Sequence, residues 1–174
     1  TLMEQALAQG AGLLALPENF SHMGRNEEEK RQHAENPVDG PSLEFLRDFA
    51  RRHKVWIVGG TIPLATPTGE KITNTCFVLD DQGEVKARYD KMHLFDVILP
   101  QDRGYQESNL VQPGTTPVVC DTPWGRLGLA ICFDIRFPAL FSHLVRQGAT
   151  FFTLPSAFTA VTGAAHWELL VRCR

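Results

Sequence analysis

The sequence predicts a mixed α/β fold in which helices cover a mixed β-sheet. Two observations lead to this class. Short apolar runs, typical of buried strands, alternate along the chain with segments whose apolar residues recur at helical spacing. Two pairs of strand-like segments are joined by short turns, so antiparallel hairpins are mixed with helical crossovers. We expect a single domain over residues 1–174, because this length supports one core.

The first half of the chain is predicted to supply two buried strands and the helix between them. Apolar runs at 13–16 and 55–58 end at proline or glycine, and both are too short for a helix. Between them, apolar residues at helical spacing predict a helix that Ser42 caps and that ends at His53. The charged segment 25–36 is expected to form a surface helix or loop.

Two hairpins are predicted further along. Segments 74–79 and 84–89 flank a turn rich in Asp, and segments 117–120 and 126–131 flank a turn with proline and glycine. Between the hairpins, residues 90–117 lack sustained periodicity. A run of that length inside a compact domain is typical of a functional loop.

The last part of the chain is expected to add two helices and a strand. Pro138 suits the first position of a helix that ends at Gln147, where Gly148 can adopt the left-handed conformation. Residues 149–154 predict a strand, and Thr162 is expected to cap a final helix.

Both ends of the chain fall inside helical patterns. Residues 2–10 are typical of the last turns of a helix, and residues 167–174 continue a helical pattern without a stop signal. We therefore expect a fragment of a longer domain.

Composition is typical of a soluble globular protein, with 43% hydrophobic and 21% charged residues. The net charge of −3 favours neither nucleic acid nor an anionic membrane as a partner. No apolar run approaches the length of a membrane span. The four cysteines show no zinc-ligand spacing and are too sparse for a disulfide framework, so we expect a reducing, cytoplasmic setting.

Cys132 lies where the apolar run 127–131 meets the predicted helix. At such a corner, the free N–H groups of the helix N-terminus can lower the pKa of a thiol and make it a nucleophile. The alternative is a buried structural cysteine, and the local pattern alone favours that alternative.

Three other polar residues follow predicted strands. Glu18 is placed where partial desolvation raises the pKa of a carboxyl toward that of a general base, although a plain surface glutamate is the commoner case. Lys91 could hold an oxyanion or be a solvated loop residue. His93 could be a base or a hydrogen-bonded structural histidine. Spacing alone selects no triad among them.

Four motifs together resemble the nitrilase, or carbon–nitrogen hydrolase, superfamily. In the order and at the approximate separations of that family they are Leu16-Pro-Glu-Asn-Phe20, Tyr89-Asp-Lys-Met-His-Leu-Phe-Asp96, Glu107-Ser-Asn109 and Ile131-Cys-Phe-Asp-Ile-Arg-Phe-Pro138. The later segment 155–168 narrows the resemblance to the amidase branch, which contains ω-amidase and deaminated-glutathione amidase. The motifs span nearly the whole chain.

The resemblance implies a Glu–Lys–Cys triad of Glu18, Lys91 and Cys132, supported by a second glutamate, Glu107. In such enzymes the cysteine attacks a carboxamide carbon and the glutamate relays the proton to the departing ammonia. The lysine holds the oxyanion together with the backbone N–H after the cysteine, here that of Phe133. Water then hydrolyses the thioester. Neither a metal nor another cofactor is implied.

Substrate contacts are expected at Arg136, Phe158 and Thr162. In this branch, Arg136 resembles an anchor for a substrate carboxylate, a task that suits a planar bidentate donor. A structural ion pair between Arg136 and Asp134 is the open alternative.

Two stretches depart from the family pattern. Asp90 stands where a basic residue is usual, and residues 101–104 are more polar than the usual glycine-rich loop. Both are expected near the mouth of the pocket. The departures therefore bear on which substrate is preferred and do not affect the predicted chemistry.

The resemblance also implies a four-layer α-β-β-α sandwich with mixed sheets, of which this chain supplies part. It further implies a homodimer or higher homo-oligomer that packs through the helix after the cysteine and the last helix.

The leading prediction is an enzyme that hydrolyses the terminal carboxamide of a small acid. A nitrilase or an N-carbamoyl amidase on the same triad is an alternative. An inactive fragment that acts only in assembly is an alternative of a different class.

Overall fold

Two larger β-sheets and one short two-stranded sheet organise the part of the chain that the structure describes. The structure is a computed structural model that describes residues 1–98 and 104–174. The helices are α1 (Leu2–Ala8), α2 (Glu27–Gln32), α3 (Pro41–His53), α4 (Pro138–Arg146) and α5 (Ala160–Arg172), with 3₁₀ turns at Glu107–Asn109 and Cys132–Arg136. The strands are β1 (Leu13–Ala15), β2 (Trp56–Val58), β3 (Ile62–Ala65), β4 (Ile72–Leu79), β5 (Val85–Asp90), β6 (Asp96–Val97), β7 (Tyr105–Gln106), β8 (Val119–Thr122), β9 (Gly125–Leu129) and β10 (Phe151–Thr153).

The first sheet is built around β4. Its order is β1-β2-β4-β3, and β5 also pairs with β4. The β1–β2 pair is parallel, whereas β4 runs antiparallel to β2, β3 and β5. Every residue of β4 is buried, because the strand has neighbours along its length and packed layers on both faces. The hairpin predicted from 74–79 and 84–89 is confirmed by the β4–β5 pair.

The second sheet has the order β10-β9-β8 and leads into the corner at Cys132. The β8–β9 pair is antiparallel and confirms the second predicted hairpin, while β9 and β10 are parallel, with Leu129 opposite Thr153. Because the strands are parallel, the residues that follow β9 lie close to those that follow β10.

Side-chain alternation along the strands produces the layers of the fold. Ile57 and Leu79 belong to the core beneath α3, whereas their chain neighbours Val58 and Val78 belong to the core shared with the second sheet. On the far side of the second sheet, Leu144 and other residues of α4 form a third core. The order is helix, sheet, sheet, helix, and the predicted mixed α/β class is confirmed. No helix in the described ranges combines the length and apolar character needed to cross a membrane.

Two predicted helix caps are wrong. Helix α3 starts two residues earlier, with Gly40 as the N-cap, and the Ser42 hydroxyl instead donates to the Glu35 carboxylate. Helix α5 starts at Ala160, because the Thr159 side chain accepts from the Thr162 N–H. Two threonines three residues apart can each fit a cap, and the pattern alone did not distinguish them.

The terminal helices also differ from the expectation of uncapped segments. Helix α1 ends at Ala8 and has Thr1 as its N-cap in a capping box with Glu4. Helix α5 ends at Arg172 instead of continuing to the last residue. Of the polar stretch 101–104, residues 101–103 lie outside the described residues.

Candidate active site

Glu18 lies just after β1, buried among donors. The residue is 5% exposed. Its Oε1 atom accepts from the Lys91 Nζ at 3.0 Å, and its Oε2 atom accepts from the Ala157 N–H at 2.9 Å. The turn that carries Glu18 packs against Gly60, where a Cβ atom would lie 2.2 Å from the Pro17 carbonyl oxygen. Glycine is therefore required at that position for the turn to approach β2.

Lys91 follows β5 and is buried between two carboxylates. The residue is 2% exposed, and its Nζ atom donates to Glu18 Oε1 at 3.0 Å and to Glu107 Oε2 at 2.9 Å. Burial by itself would lower the pKa of the ammonium, but the charges of the two glutamates outweigh burial and raise the pKa. Lys91 is therefore a fixed cation at neutral pH.

Asn74, in the middle of β4, joins the two glutamates. It is 1% exposed, and its Nδ2 atom donates to Glu18 Oε1 at 3.1 Å and to Glu107 Oε1 at 3.3 Å. Its backbone oxygen accepts from the Lys91 N–H at 2.9 Å. One residue of the central strand thus holds both the lysine backbone and the carboxylates that bind its ammonium.

Cys132 occupies the sharp corner between β9 and α4. It begins the 3₁₀ turn with a φ of +46°, in the left-handed region that side chains rarely adopt. Its own N–H donates to the Pro155 carbonyl oxygen at 2.9 Å, just beyond β10. The N–H of Phe133 has no hydrogen-bond acceptor within residues 1–98 and 104–174, so it is free to bind a ligand oxygen.

The structure corrects the expectation that the helix N-terminus lowers the pKa of the Cys132 thiol. Burial raises the pKa of the Cys132 thiol to about 12, and the nearby Glu18 carboxylate acts in the same direction. Lys91 and the Ala157 N–H oppose these effects without outweighing them. The cysteine begins a short 3₁₀ turn rather than α4 itself, so little helix dipole acts on it. Cys132 therefore rests as a thiol beside a carboxylate that can accept its proton.

Another buried carboxylate, that of Asp134, connects the cysteine corner to the loop that follows β5. It has no exposed surface. Its Oδ2 atom accepts from the Tyr89 hydroxyl at 2.7 Å and from the Ile131 N–H at 2.8 Å. Its Oδ1 atom accepts from the His93 N–H at 3.0 Å and lies 2.7 Å from the His93 Nδ1. The His93 ring also stacks on Phe137, which favours the structural alternative for this histidine.

These groups open into a cleft of about 360 Å³, a size suited to a small molecule. Glu18, Lys91 and Cys132 line it together, as do Glu107 and Phe133. The structure therefore brings together the residues of the implied triad and its support.

Of the expected substrate contacts, Phe158 and Thr162 lie in the wall of the cleft. Arg136 does not. Its guanidinium carbon lies 5.7 Å and 5.9 Å from the ring centres of Phe133 and Phe158, and its Nη2 atom lies 3.3 Å from His166 Nδ1. In the part of the chain that the structure describes, Arg136 makes no ion pair with Asp134.

Comparison with models of known protein families identifies the family of this chain. The family model for carbon-nitrogen hydrolases matches residues 1–174. The chain belongs to the carbon–nitrogen hydrolase family. Proteins of this family are hydrolases that act on carbon–nitrogen bonds, and the motifs around Glu18, Lys91 and Cys132 gave the same resemblance.

Two curated relatives of the chain are amidases. The deaminated glutathione amidase of Yersinia enterocolitica is 46% identical over 99% of this chain and 62% of its own length. The ω-amidase Nit3 of Saccharomyces cerevisiae is 38% identical over 100% of this chain and 61% of its own length. The chain thus spans less than two thirds of the length of these relatives.

Solved structures confirm the nitrilase-type fold. The crystal structure of Saccharomyces cerevisiae Nit3, from branch 10 of the nitrilase superfamily, matches with a TM-score of 0.86 at 34% identity, over 99% of this chain and 61% of that one. A glutamate-to-glutamine mutant of an amidase from Nesterenkonia sp. AN1, which shows the Michael addition of acrylamide at its active-site cysteine, matches with a TM-score of 0.75 at 26% identity, over 95% of this chain and 61% of that one.

Two buried residues of this candidate site were missed in the sequence analysis. Asn74 is a polar amide inside a buried strand, and a buried amide must find partners, which was a usable signal. Asp134 was considered only as a partner for Arg136. The sequence showed that Asp134 lies two residues after the corner cysteine. The groups that make its four contacts belong to separate segments of the chain, and only the fold brings them together.

Proposed function

We propose that the protein is an amidase that hydrolyses the terminal carboxamide of a small carboxylic acid to a carboxylate and ammonia. The observation that carries the proposal is the joint burial of a carboxylate, an ammonium and a thiol in one cleft, at Glu18, Lys91 and Cys132. The amidase relatives support it, as does the active-site cysteine that forms a Michael adduct with acrylamide in the mutant Nesterenkonia amidase.

The first step couples proton transfer to attack. Because thiolate is scarce at neutral pH when the pKa of Cys132 is about 12, a base must remove the proton as the sulfur attacks. The Glu18 carboxylate takes that proton while the sulfur forms a bond to the carboxamide carbon. Glu18 then gives the proton to the amide nitrogen, the C–N bond breaks, and ammonia leaves a thioester on Cys132.

The developing oxyanion is held by two donors. Lys91 has three N–H donors and uses two of them on glutamates, which leaves one for the substrate oxygen. The N–H of Phe133, which has no acceptor in the described parts of the chain, supplies the second donor. Donors that are fixed before the reaction stabilise a transition state without reorganising, and losing one typically costs about 10²–10³ in kcat.

Water completes the cycle. Glu18 takes a proton from the water that attacks the thioester, and returns it to sulfur as the C–S bond breaks. The product is the carboxylic acid, which ionises in solution. Glu107 supports both steps, because it fixes the ammonium of Lys91 and accepts from the Phe95 N–H at 2.7 Å.

The test is ammonia release from a short ω-amide by the purified protein. We expect Cys132→Ala and Glu18→Gln each to abolish turnover, since one removes the nucleophile and the other the base. Cys120→Ala, a buried cysteine of β8, is the matched control and should keep its activity. Substantial ammonia release by either of the first two variants would contradict the triad.

The products and the thiol reactivity distinguish the alternatives. Carbon dioxide released with ammonia from an N-carbamoyl compound would favour a carbamoylase, and turnover of a nitrile would favour a nitrilase. If the protein is an inert assembly unit, iodoacetamide should label Cys132 no faster than Cys76 or Cys120. We expect Cys132 to be labelled faster than these two buried cysteines, because Glu18 can assist its deprotonation.

A further inference from the structure

Lys30 reaches into the cleft from a segment that the sequence indicated to be solvated surface. It lies in the last turn of α2, and its side chain forms part of the cleft wall. Its Nζ atom donates to Asn19 Oδ1 at 2.7 Å. Asn19 directly follows Glu18, has a φ of +56°, and is fixed by its N–H, which donates to Thr61 Oγ1 at 2.7 Å. A rigid residue beside the base therefore positions this ammonium.

The ammonium of Lys30 has no direct counter-charge in the described ranges. None of the ion pairs formed there includes it. Burial lowers the pKa of Lys30, while the more distant charges of Glu107 and Glu18 act against this. Among the described residues, Asn19 takes one of the three N–H donors of this ammonium. A partly desolvated cation with donors to spare there gains most from an anion that approaches it directly.

The other cations of the cleft are already engaged. Lys91 is held by two carboxylates. Arg25 is 90% exposed along its side chain and forms a two-point contact with Glu29. Arg136, the anchor expected from the family resemblance, lies outside the lining. Among the described residues of the wall, Lys30 is the cation left for a ligand.

We propose that the ε-ammonium of Lys30 binds the anionic end of the substrate and so makes the site prefer amides that carry a carboxylate. This inference rests on the proposed amidase function. The carboxamide reacts at Cys132, and the carboxylate at the other end of the molecule pairs with Lys30. Binding at both ends orients the amide toward the nucleophile.

The test compares two amides of equal length, succinamate, which carries a carboxylate, and butanamide, which carries a methyl group instead. The readout is the ratio of their kcat/KM values. We expect Lys30→Met to lower this ratio by roughly 10- to 100-fold, the range of a charge-assisted hydrogen bond, mainly through the KM of succinamate. Lys30→Arg keeps the charge and should keep most of the ratio.

Lys86→Met is the matched control, because Lys86 is an exposed lysine of β5 that does not belong to the cleft lining. It should leave the ratio unchanged. The inference is overturned if Lys30→Met has the same ratio of kcat/KM values as the unchanged protein, or if the ratio of the unchanged protein is itself near one. Either result leaves the amidase function in place.

Binding is measured separately so that the result does not depend on turnover. By calorimetry, Cys132→Ala should bind succinamate more tightly than butanamide, and adding Lys30→Met should remove that difference. If the unchanged protein hydrolyses neither amide but this binding pattern holds, the proposed function fails and the Lys30 assignment stands. If Cys132→Ala binds both amides equally, the Lys30 assignment fails.

Discussion

At the scale of single residues, the site depends on balanced buried charge. Glu18 and Glu107 contribute two negative charges to the cleft, and Lys91 and Lys30 contribute two positive charges. Two of these charges meet at the side-chain amide of Asn74, which donates to both glutamates. An amide can do this because it carries two N–H donors and no charge.

Asn74→Asp replaces this amide by a third carboxylate of nearly the same shape. We expect ammonia release to fall by at least about 100-fold, because the two glutamates lose their donor and face a new negative charge. The free energy of unfolding should fall by about 1–3 kcal/mol or more, measured by urea titration. Thr73→Val, the neighbouring position on β4, removes a hydroxyl bonded to Thr75 and should affect stability only. An Asn74→Asp protein with most of its activity would contradict this account.

At the scale of elements, the corner between β9 and α4 sets the geometry of the nucleophile. The left-handed φ of Cys132 makes the chain turn sharply, and the N–H of Cys132 is fixed by Pro155 beyond β10. Asp134 then connects this corner to the end of β5 through Tyr89 and His93. The cysteine and the loop that carries Lys91 are therefore held by one buried carboxylate.

Asp134→Asn tests this connection. The amide has one acceptor oxygen where the carboxylate has two, so at least one buried N–H loses its partner, at a cost of about 1–3 kcal/mol. We expect a lower unfolding temperature, at least tenfold lower kcat and slower iodoacetamide labelling of Cys132, because the corner shifts. Tyr89→Phe removes one donor and leaves the carboxylate intact, so it should cost less on every measure. Equal losses in the two variants would argue against a positioning role for Asp134.

At the scale of the whole molecule, the two sheets enclose a core that also contains thiols. Cys76 and Cys132 both lie in the layer between the sheets, and burial raises the pKa of each thiol to about 12. The predicted homo-oligomer also belongs to this scale and stays a prediction. Apolar side chains exposed on α4 and α5, among them Val145 and Leu169, lie on the helices expected to form its interface.

The buried thiols make stability depend on alkaline pH. Because the unfolded thiols ionise near pH 9 and the folded ones near 12, their stabilising contribution is complete below pH 9 and is lost as the pH rises toward 12. We expect the free energy of unfolding to fall between about pH 8 and pH 10, by at most about 1.4 kcal/mol per pH unit for each thiol. Urea titrations at a series of pH values measure this slope.

Cys76→Ala should reduce the slope, because it removes a buried thiol that takes no part in the proposed chemistry. Cys173→Ser, at an exposed cysteine, serves as the control and should leave the slope unchanged. A stability that is flat over this pH range would show that these thiols are not protected by burial.

Local sequence patterns predicted the secondary-structure elements well where the residues that form an element are neighbours in the chain. Both hairpins form, because a turn joins two strands that are neighbours in the chain. The caps of α3 and α5 were misplaced by two and three residues. The α3 cap is a glycine without a capping side chain, and two threonines near the start of α5 both fit a cap. The motifs around Glu18, Lys91 and Cys132 were sufficient to identify the family, which the match over residues 1–174 confirms.

The sequence by itself determined the class of the fold, the family and three residues that gather in the cleft, Glu18, Lys91 and Cys132. Only the tertiary structure decided how those residues behave. The pKa of Cys132 is set by burial and by Glu18, not by the helix start next to it in the chain. Lys30 belongs to a segment that the sequence indicated to be surface, yet its ammonium lies in the cleft wall. Charge and desolvation act through space, between groups that are distant in the sequence. A local pattern in the chain therefore does not predict their effect on a residue.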